Sequence, residues 1–268
     1  MKCLWLTDVH LNFLEKTERQ EFYANIRASL PQAIFLTGDI AEAPTVAPLL
    51  EEMANALNTT IYFVLGNHDF YFGDVATVKK EVTTLTLNNK FLRWLPIVEP
   101  VSLTPSVVLV GQDGWADGRV GNYVNSSVVL ADSRLIADLF QQRIIGKYQL
   151  LDKMQQLADI DAQRLEVNLQ TALLKNPTLV IVLTHVPPFK EVCLYDGKIS
   201  NDDWLPFFTS QATADVLTKV ASENINVDFL VLCGHTHHVA KFQAFPNLLV
   251  KAGHAEYYMP ELQEMIEF

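Results

Sequence analysis

Residues 61–69, with the sequence IYFVLGNHD, join a short apolar run to a cluster of polar side chains. The run at 61–65 is rich in β-branched and aromatic residues, which is typical of a strand buried on both faces. Gly66 ends the strand, and Asn67 and His68 follow at once. Because ligands of open α/β sheets bind beyond the carboxyl ends of the strands, we expect Asn67 and His68 at such a site.

Four further apolar runs end in the same way, each with a carboxylate or an imidazole soon after the last apolar residue. They are residues 2–6 before Asp8, 33–36 before Asp39, 179–183 before His185, and 229–232 before His235. Amphipathic stretches at 17–30, 47–57 and 212–223 lie between these runs. Alternating strands and helices predict a parallel sheet with right-handed crossovers.

Two regions depart from this alternation. Residues 91–112 contain three prolines between short apolar runs, which predicts an antiparallel stretch that begins a second sheet. Residues 113–176 open with a glycine-rich loop and continue as helices predicted at 130–143 and 147–175. This segment is longer than a plain connection requires. We therefore expect one domain over 1–268 with a helical insert at about 113–176, which either caps the binding rim or covers a sheet face.

The composition restricts the partners and the compartment. With 20 Lys and Arg against 31 Asp and Glu, the net charge of −11 disfavours nucleic acid and anionic membranes. Cys3, Cys193 and Cys233 are widely spaced and are expected to be reduced thiols. Because no signal peptide or membrane span is recognisable, a cytoplasmic location is expected. The number of subunits is left open.

The polar residues at the strand ends form a mixed oxygen and nitrogen donor set without a thiolate. Such a set suits Mn, Fe, Zn, Ni or Co rather than an iron–sulfur cluster or a structural zinc ion. In an extended segment, residues two apart point to the same side, as Asp8 and His10 or His235 and His237 would. The candidate residues are Asp8, His10, Asp39, Asn67, His68, His185, His235 and His237.

Taken in order, these residues form the blocks DxH, GD, GNHD, H and GHTH over residues 8–237. This series resembles the signature of the calcineurin-like metallophosphoesterases, and all five blocks are complete. The resemblance implies a four-layer α/β/β/α sandwich of two mixed sheets, with the metal site at the carboxyl ends of the strands. It also implies a metal-dependent phosphoric ester hydrolase with two divalent or trivalent ions, of which Mn and Fe are favoured and Zn, Ni and Co are alternatives.

The resemblance also implies a role for each residue. A hydroxide between the two ions would attack the phosphorus atom, and His68 would stabilise charge or protonate the leaving oxygen. Asp69 would orient His68 through a hydrogen bond. The ligands would be Asp8, His10 and His237 for the first ion, Asn67, His185 and His235 for the second, and Asp39 as the bridge between them.

Departures from the patterns of two subfamilies restrict the range of expected substrates. The Asp-Arg-Gly of the serine/threonine protein phosphatases is missing after Asp39, and Glu42 stands where purple acid phosphatases have a tyrosine ligand. A small phosphodiester or phosphomonoester is therefore expected, with a protein or larger phosphorylated ligand as the alternative. A non-enzymatic scaffold is disfavoured because every ligand is intact.

Two segments outside the five blocks are candidates for contacts with the substrate. The loop at 115–123 carries Trp115 and Arg119, which could stack on or bind a phosphorylated ligand. The alternative is the segment at 189–208, with Tyr195 and Trp204. We interpret His238 and His254 as structural residues and leave Tyr71 and Phe72 open between the leaving-group site and the core.

Overall fold

A computed structural model describes all residues from 1 to 268 and contains thirteen strands and eight α-helices. The strands are β1 (Lys2–Leu6), β2 (Ala33–Thr37), β3 (Thr60–Val64), β4 (Leu92–Trp94), β5 (Val101–Ser102), β6 (Val107–Gly111), β7 (Leu179–Leu183), β8 (Leu194–Tyr195), β9 (Lys198–Ile199), β10 (Asp228–Cys233), β11 (Ala240–Phe245), β12 (Leu248–Ala252) and β13 (Met265–Glu267). The helices are α1 (Lys16–Ala28), α2 (Val46–Leu57), α3 (Val75–Asn88), α4 (Asp132–Leu135), α5 (Ala137–Ile145), α6 (Lys147–Leu173), α7 (Leu205–Phe208) and α8 (Gln211–Glu223).

Eleven of the strands form two mixed sheets, and β8 and β9 pair separately as a hairpin. The first has the order β13-β1-β2-β3-β4, in which only β13 is antiparallel to its neighbour. The second has the order β11-β12-β10-β7-β6-β5, with a parallel centre and an antiparallel strand at each edge. The two mixed sheets predicted from the sequence are confirmed.

Alternation along each central strand separates the core into layers. In β1, Leu4 and Leu6 pack towards the helices, whereas Cys3 and Trp5 pack towards the second sheet. The same period of two divides the second sheet, where Val182 faces helices and neighbouring residues face the first sheet. The result is helices, sheet, sheet and helices, the expected four-layer sandwich.

The region at 91–112 corrects one expectation. β4 is parallel to β3 and belongs to the first sheet, so only β5 and β6 form the antiparallel start of the second sheet. The reason is α3, which the sequence pattern did not reveal. It supplies the long crossover that a parallel neighbour of β3 requires.

The insert contributes to two layers. Leu165 and Leu169 in the second half of α6 are buried against the second sheet, whereas Leu150 and Met154 in its first half join the core of the first sheet. Asp132 at the start of α4 lies within hydrogen-bond distance of Asn67, just beyond the end of β3. No helix combines the length and the apolar character that a membrane span requires.

Candidate metal centre

The loops that follow β1, β2, β3, β7 and β10 bring the predicted ligands together. Two groups of donor atoms form, each with its atoms within 4.8 Å of one another. Asp39 belongs to both groups, the position expected of a bridging carboxylate. The first group contains Asp8, His10, Asp39 and His237, and the second contains Asp39, His185 and His235.

The first group places imidazole nitrogens and carboxylate oxygens face to face. The Nε2 atoms of His10 and His237 are 3.4 Å apart, and His237 Nε2 is 3.4 Å from Asp8 Oδ1. His10 Nε2 is 3.9 Å from Asp39 Oδ2. These converging lone pairs are the arrangement that a cation between them would satisfy, so the residues fit a bound metal ion.

The second group is completed by the side-chain oxygen of Asn67. This Oδ1 atom lies 2.9 Å from His235 Nδ1 and 3.0 Å from His185 Nε2. The opposite ring nitrogens of these histidines face backbone carbonyls, with His185 Nδ1 2.8 Å from Thr37 O and His235 Nε2 3.0 Å from Phe207 O. An N–H donated to each carbonyl leaves the inner nitrogen free to bind metal, as is usual for metal-binding histidines.

Five residues of the two donor groups have a strained, left-handed backbone. Asp8, His10, Asp39, His235 and His237 have φ angles of 47°, 40°, 50°, 71° and 57°. Non-glycine residues in this left-handed region cost of order 1–3 kcal/mol each and occur where the surrounding structure holds them for function. The left-handed turns allow neighbouring side chains, such as those of Asp8 and His10, to enter the same donor group.

Two glycines allow the loops to approach the carboxylates. A Cβ atom on Gly66 would lie 2.2 Å from Asp39 Oδ1, and one on Gly234 would lie 2.0 Å from Asp8 Oδ2. Any side chain at these positions would displace a carboxylate of the metal centre. This steric requirement explains why the GNHD and GHTH blocks carry a glycine directly before the ligand.

The insert orients Asn67. The Nδ2 atom of Asn67 donates to Asp132 Oδ1 at 2.8 Å, and Tyr71 Oη donates to the same oxygen at 2.5 Å. With its amide nitrogen held by Asp132, Asn67 turns its oxygen towards His185 and His235. Asp132, the first residue of α4, was not found by sequence reasoning because it is a single carboxylate without a motif.

Replacing Asp132 by alanine is expected to weaken metal binding at the second group, because the Asn67 amide would lose the acceptor that orients it. Loss of such an outer partner typically costs about 10–100-fold in metal affinity. Calorimetric titration of the metal-free protein measures the change. Asp132→Asn keeps an acceptor oxygen and should lose less. Equal affinity in the wild type and the alanine variant would contradict this role.

His68 lies beside the metal ligands without joining either group. Its backbone N–H donates to Asp39 Oδ1 at 2.9 Å, and its Nε2 is 3.9 Å from Asp39 Oδ2. Its ring stacks on Tyr71 with centroids 4.1 Å apart, and Tyr71 itself is buried in the core of the first sheet.

The expected hydrogen bond from Asp69 to His68 is absent, and the assignment of Asp69 as its partner is corrected. Asp69 Oδ1 accepts the backbone N–H groups of Ile40 and Ala41 at 2.9 and 2.8 Å, and Oδ2 accepts that of Gly66 at 2.8 Å. The buried carboxylate therefore ties the loop after β2 to the loop after β3. His68 Nδ1 has no hydrogen-bond partner.

The structure separates the two predicted substrate contacts: Arg119 is held in ion pairs, whereas Trp115 lines a small buried cavity together with Asn67 and His235. Arg119 forms ion pairs with Asp117 at 3.0 Å and Asp159 at 2.8 Å. Trp115 is only 5% exposed and packs on Phe70. The loop at 115–123 is hydrogen-bonded to residues 202–209, and the carbonyl oxygen of Phe207 in that segment lies 3.0 Å from His235 Nε2.

An open cleft of about 790 Å³ adjoins the metal centre. His235 and His237 form its inner end, and the segment 194–204 with Tyr257 forms its walls. His238 lies in the wall, whereas His254 pairs with Glu261 at 3.2 Å outside the cleft. The segment that the sequence analysis kept as an alternative for substrate contacts is thus the one that lines the cleft.

Metal binding is expected to release protons near neutral pH. Burial lowers the pKa of His185, but the Asp39 carboxylate outweighs it and raises the pKa to about 10. Below that pH the metal-free imidazole holds a proton that a metal on Nε2 must displace, so apparent affinity should fall as pH falls. Titrations in buffers of different ionisation enthalpy measure the release. An observed heat that is independent of the buffer would contradict it.

Comparisons with known proteins agree with this geometry. The sequence model of the calcineurin-like phosphoesterases matches residues 1–239. Phosphopantetheinyl hydrolase from Mycobacterium tuberculosis is similar in structure, with a TM-score of 0.68 and 16% identity, over 96% of this chain and 90% of that one. A dimetal phosphatase from Danio rerio has a TM-score of 0.62 and 13% identity, over 97% of this chain and 89% of that one. No curated protein matches the sequence.

The family match covers most of the chain and includes every block that carries a predicted ligand. The two structural neighbours share the fold at low sequence identity. Together with two donor groups joined at Asp39, these findings identify a metal-dependent hydrolase. The chain belongs to the calcineurin-like phosphoesterase family.

Proposed function

We propose that this protein hydrolyses a small phosphodiester or phosphomonoester with two metal ions. The observation that carries the proposal is the pair of donor groups that share Asp39 and open into one cleft. The first ion would be held by Asp8, His10, Asp39 and His237, and the second by Asp39, Asn67, His185 and His235.

When bound, two such ions lower the pKa of a water molecule and neutralise charge on the phosphoryl oxygens. The residues of the chain do the remaining work. The strained loops hold the ligands in place, and Asp132 sets the orientation of Asn67. His68, whose ring stacks on Tyr71, would donate a proton to the leaving oxygen or stabilise charge on it.

The donor set supports Mn or Fe as the ions, with Zn, Ni or Co as alternatives. Carboxylate, amide and imidazole donors suit these metals, whereas a soft thiolate is missing from both groups. The three cysteines are free and buried, and none of them belongs to either donor group. Metal analysis of protein prepared without added metal would identify the ions that the site retains.

A small ester is favoured over a protein or larger phosphorylated ligand. The cleft volume of about 790 Å³ lies within the range of small-molecule sites, which is about 300–1,000 Å³. A net charge of −11 also opposes binding of nucleic acid or of other extended anions. The local positive charge of bound metals would attract a phosphate group to the cleft.

The proposal is tested with a panel of phosphate monoesters and diesters. Protein freed of metal is reconstituted in turn with Mn²⁺, Fe²⁺, Zn²⁺, Ni²⁺ and Co²⁺. Turnover of at least one small ester is expected, and a chelator should abolish it. Absence of turnover for every ester with every metal, in protein shown to hold two ions, would refute the function.

A further inference from the structure

Exposed aromatic side chains are concentrated in the cleft beside the metal centre. Tyr195, Trp204 and Tyr257 are 73%, 43% and 42% exposed, and all three line it. Scattered exposed aromatics are normal on a protein surface, but several in one concave site indicate that something binds there.

The aromatic residues are continuous with the metal ligands. On one side, the ring centroids of Phe208 and His235 are 4.9 Å apart, and those of Trp204 and Phe208 are 6.0 Å apart. On the other side, Tyr257 lies 5.0 Å from the ring of His237. A phosphoryl group at the metals would therefore direct its organic substituent outwards between Trp204 and Tyr257.

A hairpin builds the outer wall. β8 and β9 are joined by Asp196 and Gly197, which have φ angles of 49° and 72°. Positive φ at both positions gives the tight two-residue turn that matches the twist of paired strands. Tyr195 packs edge-on against His238, with ring centroids 5.5 Å apart. The hairpin therefore presents Tyr195 at the rim in a defined orientation.

The charged residues that line the cleft indicate that the group bound there is neutral. Apart from the histidines, its charged residues are Asp196 and Lys198, one acid and one base on the same turn. They provide no net positive charge for a second phosphate or carboxylate. The wide, aromatic surface and the absence of a cation cluster favour a planar, uncharged ring.

We infer that the cleft between Trp204 and Tyr257 binds the organic group of the substrate, and that this group carries a neutral planar ring next to a single phosphoryl group. The inference rests on the proposed function and adds the substrate class to it. Two sources share this chemistry, a simple aryl ester and a nucleoside ester. In both, the ring would stack on Trp204 while the phosphoryl group occupies the metal site.

Non-hydrolysable phosphonates test the inference by direct binding. Calorimetry on the Mn²⁺-loaded protein compares methylphosphonate, phenylphosphonate and a nucleoside 5′-phosphonate. The wild type should bind at least one ring-bearing ligand more tightly than methylphosphonate. Trp204→Ala should weaken that ligand about 5- to 100-fold, the usual effect of losing a stacking partner, and should leave methylphosphonate unchanged.

Matched variants separate stacking from general disturbance. Trp204→Phe keeps a ring and should restore most of the affinity, and Tyr257→Ala should resemble Trp204→Ala. Tyr148→Ala removes a tyrosine that is 62% exposed on α6, outside the cleft, and should have no effect. The ring-bearing ligand that binds more tightly identifies the aryl or the nucleoside class.

The outcomes distinguish this inference from the proposed function. Equal affinity for methylphosphonate and both ring-bearing ligands would overturn the inference while the metal site still bound a phosphoryl group. Unchanged affinities in Trp204→Ala and Tyr257→Ala would overturn it as well. Failure of all three phosphonates to bind, combined with no turnover of any ester, would instead refute the proposed function from which the inference starts.

Discussion

Asp39→Asn is expected to lose more activity than any other single change of a metal ligand. Asp39 is the one residue shared by both donor groups, so its substitution weakens two metal sites at once. Each ion supplies several kcal/mol of charge stabilisation in a phosphoryl transfer. Losing a substantial part of both corresponds to a fall in kcat/KM of about 10³-fold or more.

Asparagine is the appropriate replacement because it changes charge with little change in shape. Asp39 has a φ angle of 50°, and asparagine tolerates this left-handed conformation better than most residues. The fold should therefore persist while the negative charge beside His185 and His68 is removed. Metal content, thermal stability and turnover of the purified variant are the measurements.

Two further variants control the Asp39 experiment. His237→Ala removes a ligand of the first group alone and should cost less activity than Asp39→Asn. Asp159→Asn removes an exposed carboxylate that pairs with Arg119 far from the ligands, and should leave activity unchanged. Two ions per chain and full turnover in Asp39→Asn would show that Asp39 is not a bridge.

His68→Ala is expected to retain both metals and to lose about 10²–10⁴-fold in kcat, the usual contribution of a general acid or base. His68 belongs to neither donor group, and its ring is held by stacking on Tyr71. A group that acts only in the transition state lowers kcat with little change in substrate binding. Metal analysis and steady-state kinetics on the same preparation measure both effects.

The identity of the leaving group separates two roles for His68. An alkyl ester requires a proton on its leaving oxygen, whereas a nitrophenyl ester does not, so proton donation predicts a larger loss for the alkyl ester. Equal losses would remove the general-acid role and leave charge stabilisation alone. Asp69→Asn is the contrast, because Asp69 binds the backbone of Ile40, Ala41 and Gly66 and should not produce dependence on the leaving group.

Local patterns in the sequence were sufficient to predict that the candidate ligands lie together at the strand ends, and the family resemblance supplied their roles. Each ligand lies within a few residues of the end of a buried strand, and neighbouring parallel strands bring their carboxyl ends to the same edge of a sheet. The apolar runs at 61–65 and 179–183 therefore predict that Asn67 and His185 lie at this edge. Strand position and residue type are local properties, and these properties determine the two donor groups.

The same local patterns missed parts of the fold. The parallel placement of β4 depends on α3, whose amphipathic pattern was not recognised, and β13 pairs with β1 across almost the whole chain. A strand at the edge of a sheet pairs with the segment that can reach that edge. That choice follows from crossover length and packing rather than from the residues of the strand itself.

Only the tertiary structure decided which side chains surround the ligands. Asp132 reaches Asn67 from 65 positions away, Asp69 binds backbone instead of His68, and Arg119 is held by Asp117 and Asp159. These contacts depend on how the insert folds against the strand ends and on which loop lies above another. A period of two or of 3.6 residues reports the buried face of an element. It carries no information about the hydrogen bonds that its loops form with distant segments. The sequence therefore indicated the candidate ligands, and the packing decided which side chains surround them.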